Sequence, residues 1–210
     1  KHIYKDNKKN FKKKKINLFY FRNKENSGAI ARNLGAFKAK GDLIAFLDDD
    51  VILEKNYYYE IHKVFLKNKD ALGVQGIDTN LYHPKKDKIL RRFLYKFEKI
   101  FMISFFFEKN QQRVLPSLCI TNPSPGFKKL IISEWCSTCA GVFSKKVFKK
   151  FRFDIQLKKY SWNEYLDFSY SIYLKNPNSL LHTPFAKYCD AQTGQGRLQP
   201  KELIYMAEVY

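Results

Sequence analysis

Gly41-Asp42-Leu43-Ile44-Ala45-Phe46-Leu47-Asp48-Asp49-Asp50 is the stretch on which the fold turns. Leu43 to Leu47 is an unbroken apolar run of strand length, the pattern of a strand buried on both faces of a parallel sheet. It leads directly into three carboxylates, and open α/β sheets bind ligands at the carboxyl ends of their strands. Like charges so close repel one another, and burial disfavours their ionisation. A hard divalent cation relieves both costs. Asp48 and Asp50 lie two apart, so both reach one ion from extended chain or from a turn. Mg²⁺ or Mn²⁺ accepts few protein carboxylates and keeps positions open for phosphate oxygens. An acidic triplet alone is more often a solvated turn capping the next helix; the strand before it favours the ligand reading.

Upstream, Asn26-Ser27-Gly28 reads as a turn, and Ser27 as the cap of a helix with apolar residues at Ile30, Leu34 and Phe37. Gly41 is its expected stop. Small residues at 27–29 leave the first helical N–H groups open to an anion, and Arg32 lies one turn in, placed to fork onto a phosphate. Alone, that pattern equally fits a surface arginine beside a turn. Ile16 to Phe21 reads as a buried strand. Downstream, the spacing predicts a helix over 55–67 burying Tyr58, Ile61 and Phe65, then a strand over 71–76. Strand and helix thus alternate through the first 80 residues, which predicts a mostly parallel, doubly wound α/β sheet flanked by helices.

The remainder is read more coarsely. Residues 85–107 form a basic, aromatic, amphipathic stretch, expected either to pack under a lid or to lie on an anionic bilayer surface. Residues 115–127, with three prolines, read as a loop. In Trp162-Asn163-Glu164-Tyr165-Leu166-Asp167-Phe168, a helix starting near Asn163 puts Glu164 and Asp167 on one face. The helix N-terminus would hold both carboxylates ionised and able to act as a base. Two acids in a first turn are otherwise ordinary dipole-favouring residues. Cys136-Ser137-Thr138-Cys139 has no partner at zinc-like spacing and reads as buried small residues. The four histidines show no catalytic pairing, and there is no Gly-rich phosphate loop.

Composition bounds these readings. The 210 residues, 45% hydrophobic and 17% aromatic, suffice for one domain with a real core. A net charge of +19 suggests an anionic partner or a plain lysine bias, with six lysines between Lys8 and Lys15. Four cysteines fit a reducing compartment. No apolar run nears the roughly 20 residues of a membrane span. The first residue is Lys1, and a fragment is expected.

Taken in order, Asn26-x-Gly28-x-x-x-Arg32-Asn33-x-Gly35 followed by 41–50 resembles the family 2 glycosyltransferases of GT-A, Rossmann-like fold. There a similar Ala-Arg-Asn-x-Gly helix precedes a strand ending in an Asp-x-Asp metal motif. Ala140 to Phe148 is similar to the acceptor-side strand and helix, and Glu164 to Tyr170 to the Glu-Asp motif that carries the base. The resemblance covers about residues 16–175. It implies one glycosyltransferase domain over 1–210, with a donor and metal half at 1–80 and an acceptor and base half at 115–190. It implies a nucleotide-diphosphate-sugar donor and a hydroxyl acceptor on a polysaccharide, glycan or glycolipid. Asp48 and Asp50 would hold Mn²⁺ or Mg²⁺ against the diphosphate. Asp49, Gly28, Arg32 and Asn33 would line the donor site, and transfer would invert the anomeric centre. Polysaccharide biosynthesis in the cytoplasm, peripheral at the inner membrane face, is the expected setting.

The chain departs from the family pattern at named positions. Tyr165 stands where the family has its usual Asp, which leaves Glu164, then Asp167, as the base. Ser171 replaces a frequent Arg. Asp190 stands where many relatives place a His near the metal. The family's first strand and its nucleobase-reading Asp would precede residue 1. Two other readings are a basic nucleic-acid-binding module and a degenerate transferase-like scaffold. The first lacks any recognisable nucleic-acid motif, and its acidic triplet would repel phosphate.

Overall fold

In a computed structural model, the described residues are 16–82, 111–116, 120–123, 127–157 and 163–191. Their elements are α1 (Gly28–Lys38), β1 (Leu43–Ala45), β2 (Val51–Leu53), α2 (Tyr57–Lys67), β3 (Gly73–Asp78) and α3 (Thr79–Tyr82). β4 (Ile131–Ile132), β5 (Val142–Ser144), a 3-10 helix (Lys145–Lys149), α4 (Glu164–Lys175) and β6 (Leu180–Asp190) follow. The stretch expected to be amphipathic, 85–107, lies outside the described residues.

One sheet carries the fold, in the order β1-β5-β3-β6-β2, with β4 also on β6. β3 and β6 are parallel, and the other pairs are antiparallel. The sheet is therefore mixed, where strand–helix alternation predicted a mostly parallel one. β1 and β3 do run the same way, as that alternation requires. They are not neighbours, because β5 from the second half of the chain inserts between them in reverse. As a result β1, β3 and β6 all point their carboxyl ends at one rim. Asp48 follows β1, Asp78 ends β3 and Asp190 ends β6.

Alternation along the strands feeds two cores. Phe143 and Leu180 face α1, the 3-10 helix and α4, where Ala29, Ala36, Phe46, Phe148, Phe153 and Phe168 pack. Val142 and Leu181 face α2, with Tyr57, Ile61, Val64 and Val74. Phe168 is the centre of the first core, stacked on Phe153 at 4.0 Å between ring centroids and edge-on to Phe143 at 5.3 Å. Such ring pairs add about 0.5–1.5 kcal/mol each beyond the area they bury.

β3 and β6 lose register between Gln75 and Ile77, where β6 carries extra residues around Pro184. Proline cannot donate to a ladder, and the Gly76 amide is satisfied from elsewhere. The Tyr57 hydroxyl accepts from Gly76 N at 3.1 Å and donates to the Ala140 carbonyl at 2.9 Å. Burial pushes that phenol's pKa well up. Any Cβ on Gly76 would run into the Ala186 carbonyl and the Tyr57 ring.

Four expectations about local structure change. Ile16 to Phe21 is not a strand: it pairs with none of the described strands, and Phe19 is 66% exposed. A strand exists only where a neighbour completes its hydrogen bonds. The Leu43–Leu47 run is half-exposed, with Ile44 and Phe46 inward and Ala45 and Leu47 outward, because β1 lies at the end of the strand order. α1 buries Ala29 and Ala36, while Phe37 is 77% exposed beneath Lys38. In α2 the buried set is Tyr57, Ile61 and Val64, one position before the expected one at two of its three places. Small side chains let α1 approach the sheet closely, while Ile30 and Leu34 are half-buried and Phe37 is exposed.

Candidate functional site

The amino end of α1, Asp48 three residues past β1, and the first residue of α4 meet at that rim. Ser27 caps α1, its hydroxyl accepting from Ile30 N at 3.3 Å. One turn in, Arg32 Nη2 donates to Asp48 Oδ1 at 3.2 Å. Its other terminal nitrogen, Nη1, is ion-paired with Glu164 Oε1. A single guanidinium thus ties the acidic turn to the start of α4. The planar fork of arginine suits two carboxylates, which lysine's point charge does not. The guanidinium also stands 6.0 Å over the Phe153 ring.

Gly28 makes this junction possible. A Cβ there would lie 2.6 Å from Glu164 Oε1 and 2.8 Å from Arg32 Nη1. Asp48 is carried to the rim by backbone bonds that extend β1: Phe46 N donates to Gly141 O at 2.9 Å and Asp48 N to Cys139 O at 3.0 Å. Glu164 is 5% exposed, and its Oε2 has no hydrogen-bond partner among the described residues.

The other acids gather nearby on the backbone. Ala191 N donates to the Asp50 carbonyl at 2.9 Å, and Val51 pairs with Asp190 across the β2–β6 ladder. Asp78 Oδ1 accepts from Asn80 N at 2.9 Å and from Asp190 N at 3.4 Å. Burial, and then the charge of Asp190, raise the Asp78 carboxyl above its usual range. Cys139 is pushed up to about 12 by burial and by the neighbouring Asp48, so it is a protonated thiol and no nucleophile. Asp49 is exposed.

Among the described residues, no three His, Cys, Asp or Glu side chains cluster as a metal cage. The donor set at the rim still fits a hard divalent ion. Mg²⁺-like ions take one or two protein carboxylates and fill their remaining positions with water and phosphate oxygens. Asp48 and Asp50 supply that many.

Two expected site residues are placed differently. Asn33 is committed to the backbone of Phe153: its Nδ2 donates to Phe153 O at 2.8 Å and its Oδ1 accepts from Phe153 N at 3.0 Å. Asp167 shares the first turn of α4 but is exposed. Partial shielding, then the charge of Asp154, raise its carboxyl, opposite to the lowering expected from the helix end.

Beside the rim is a cleft of about 280 Å³. Gln75, Gln112, Trp135, Tyr165, His182 and Asp190 are among the residues that line it. Sequence reasoning named none of these as site residues, apart from Asp190 beside the metal. The available signal was a polar Gln75 inside Gly73-Val74-Gln75-Gly76 and a His182 inside Leu180-Leu181-His182-Thr183. Buried strand positions rarely hold such groups without a partner.

The model of the family described as "Glycosyl transferase family 2" matches residues 4–135, more than half of the chain. The fold is similar to that in "Crystal structure of GalNAc-T7 with UDP, GalNAc and Mn2+", at a TM-score of 0.63 and 15% identity. That match covers 100% of this chain but 40% of the other, so the chain spans less than half the length of that relative. "Crystal Structure of A197 from STIV" aligns at a TM-score of 0.45 and 12% identity, over 85% of this chain and 74% of that one. No curated protein matches the sequence. With the family model lying over the 26–50 motifs and a mixed sheet of the same fold beneath them, the chain belongs to glycosyl transferase family 2 and has the GT-A fold.

Proposed function

We propose that this domain transfers a sugar from a nucleotide-diphosphate-sugar to an acceptor hydroxyl on a saccharide or lipid-linked glycan, with metal assistance and inversion. The observation that carries the reading is Arg32 bridging Asp48 and Glu164. It places a candidate metal-side acid and a candidate base on opposite arms of one cation. Glu164 is held through Oε1, which leaves Oε2 to take the proton of the attacking hydroxyl. In that step the acceptor oxygen bonds to the anomeric carbon as the bond to the diphosphate oxygen breaks. The family resemblance implies one direct displacement, which would invert the anomeric centre. Asp167, exposed and beside Asp154, is the second candidate for the base.

Asp48 and Asp50 would hold Mn²⁺ or Mg²⁺, which supplies charge neutralisation to the departing diphosphate. Arg32 adds a fixed positive charge at the same place. Gly28 and the first-turn amides of α1 offer N–H groups to an anion, and by the family resemblance exposed Asp49 would lie near the ribose or sugar. Asn33 acts at one remove, fixing Phe153 under Arg32. The described residues contain no helix long and apolar enough to cross a membrane. The +19 charge and the basic aromatic stretch 85–107 support a peripheral cytoplasmic placement on an anionic membrane face, in polysaccharide synthesis.

The test is titration of a nucleotide-sugar panel with and without Mn²⁺. Binding should require the metal and disappear in Asp50→Asn. Glu164→Gln should bind donor as before and release nucleoside diphosphate about 10²–10⁴-fold more slowly. Donor binding without turnover in the unsubstituted chain would mark a degenerate scaffold. Metal-independent, steeply salt-dependent binding of RNA or DNA would overturn the transferase reading.

A further inference from the structure

Cys136-Ser137-Thr138-Cys139-Ala140-Gly141, whose first four residues read from sequence as small and buried, touches both halves of the site through its backbone. Cys139 O accepts from Asp48 N at 3.0 Å and Gly141 O from Phe46 N at 2.9 Å, so one end of the segment carries the extension of β1 that presents Asp48. At the other end, Cys136 N donates to Ser169 Oγ at 3.0 Å. That hydroxyl donates in turn to Tyr165 O at 2.7 Å, in the first turn of α4 beside Glu164. The directions are fixed, because a backbone N–H can only donate and a carbonyl can only accept. Cys136 and Cys139 are three positions apart, so the backbone path from Asp48 to the base-bearing turn is short.

The segment is itself held on every side. Ser137 N donates to Gln75 Oε1 at 2.7 Å, Cys139 N to Ser137 Oγ at 3.1 Å, and Ala140 O accepts from the Tyr57 hydroxyl at 2.9 Å. Cys136, Thr138 and Ala140 are buried. A Cβ on Gly141 would collide with the Ser137 carbonyl, so the chain closes on itself there. Arg32 joins the same two acids, but through side chains. A divalent cation on Asp48 would compete with the guanidinium for that carboxylate, whereas the backbone path does not involve it. A hydroxyl returning to the carbonyl four residues back is common in helices. What distinguishes Ser169 is the amide it accepts from another segment, at a position that is 0% exposed. Its loss leaves the buried Cys136 amide without that acceptor.

We infer that residues 136–141 are a brace that sets the spacing of Asp48 and Glu164, with Ser169 the positioning residue that locks α4 onto it. The roles of the two acids rest on the proposed function; the mechanical coupling between them does not.

The experiment compares the 210-residue chain with Ser169→Ala and Ser171→Ala. Ser171 makes a similar bond within the helix, donating to Phe168 O at 2.8 Å, and none to another segment among the described residues. It therefore controls for the loss of a helical hydroxyl. Amide hydrogen exchange is read at Asp48, and nucleoside diphosphate release from nucleotide-sugars with Mn²⁺ reads transfer. Ser169→Ala should speed exchange of the Asp48 amide about 10-fold or more, and Ser171→Ala should leave it unchanged. In Ser169→Ala, kcat should fall about 10- to 100-fold while KM for the nucleotide-sugar stays within about threefold. A serine that only stabilises the fold would lower Tm with no change at Asp48 and no split between kcat and KM, and that result overturns the inference. In the unsubstituted chain, the Cys136 and Asp48 amides should exchange through one common opening across a denaturant series. This keeps the inference testable where Ser169→Ala fails to fold, and independent openings overturn it. Absence of turnover by the unsubstituted chain overturns the proposed function instead, and exchange at Asp48 still decides the brace.

Discussion

Gly28→Ala separates the fold of this domain from its chemistry. Gly28 opens α1 at a backbone conformation that alanine adopts without strain. The new methyl would stand 2.6 Å from Glu164 Oε1 and 2.8 Å from Arg32 Nη1. The carboxylate must therefore retreat by about 0.8 Å to reach ordinary van der Waals separation. Both obstructing atoms are ends of flexible side chains, so the backbone need not move. Alanine's helix propensity offsets part of the disturbed ion pair, by up to about 1 kcal/mol. Net stability should stay within about 1 kcal/mol of the parent, a shift of about 2–4 °C in Tm at this size. A displacement near 1 Å at a reacting group costs about 10²-fold in rate, or about 2.7 kcal/mol of barrier. Thermal melting and nucleoside diphosphate release measure the two effects on one sample. Gly35→Ala is the control: it lies in the same helix with no atom within 4 Å, and should leave transfer unchanged. Transfer by Gly28→Ala within about threefold of the parent, with Tm unchanged, would refute the role given to the Arg32–Glu164 contact.

Other substitutions probe the frame around that contact. Asn33→Ala removes both bonds to the Phe153 backbone and should destabilise by about 2 kcal/mol in chemical denaturation. His182 is held down to about 3 by burial and stays neutral in the native state. The unfolded chain takes up that proton below about 6.5, so its contribution to stability should fall by about 1.4 kcal/mol per pH unit between about 6.5 and 3. Comparing denaturation midpoints of the parent and His182→Phe across that window isolates the slope. Gly76→Ala drives a methyl into the Ala186 carbonyl and the Tyr57 ring, and should lower stability by about 2 kcal/mol or more. Melting reports it, and an unchanged Tm would disprove the close approach.

Local chemistry along the chain fixed a good deal. The apolar run before Asp48 marks a strand end, Ser27 marks a helix start, and Asn163 before Glu164 marks another. Each depends on neighbours within a turn or two, which is why each is legible in order. Asp48, Arg32 and Glu164 were also nameable as separate candidates. The buried face of α1 was not, because Ile30, Leu34 and Phe37 follow helical spacing as well as Ala29 and Ala36 do. Only the distance to the sheet selects the small set. The strand expected over 16–21 failed for a related reason: apolar composition supplies burial, but a ladder needs a partner.

Tertiary structure alone decided the rest. β5 reverses between β1 and β3, and in doing so brings the carboxyl ends of β1, β3 and β6 to one rim, with Asp48, Asp78 and Asp190 together. Only there does one guanidinium reach acids 16 and 132 residues further along the chain, Asp48 on one arm and Glu164 on the other. The cleft is assembled the same way, from Gln75 on β3, Gln112 in a loop and His182 on β6. A sequence specifies which groups can donate, accept or carry charge. Which of them face one another is a matter of strand order and register, and those are set by long-range packing that no local pattern records.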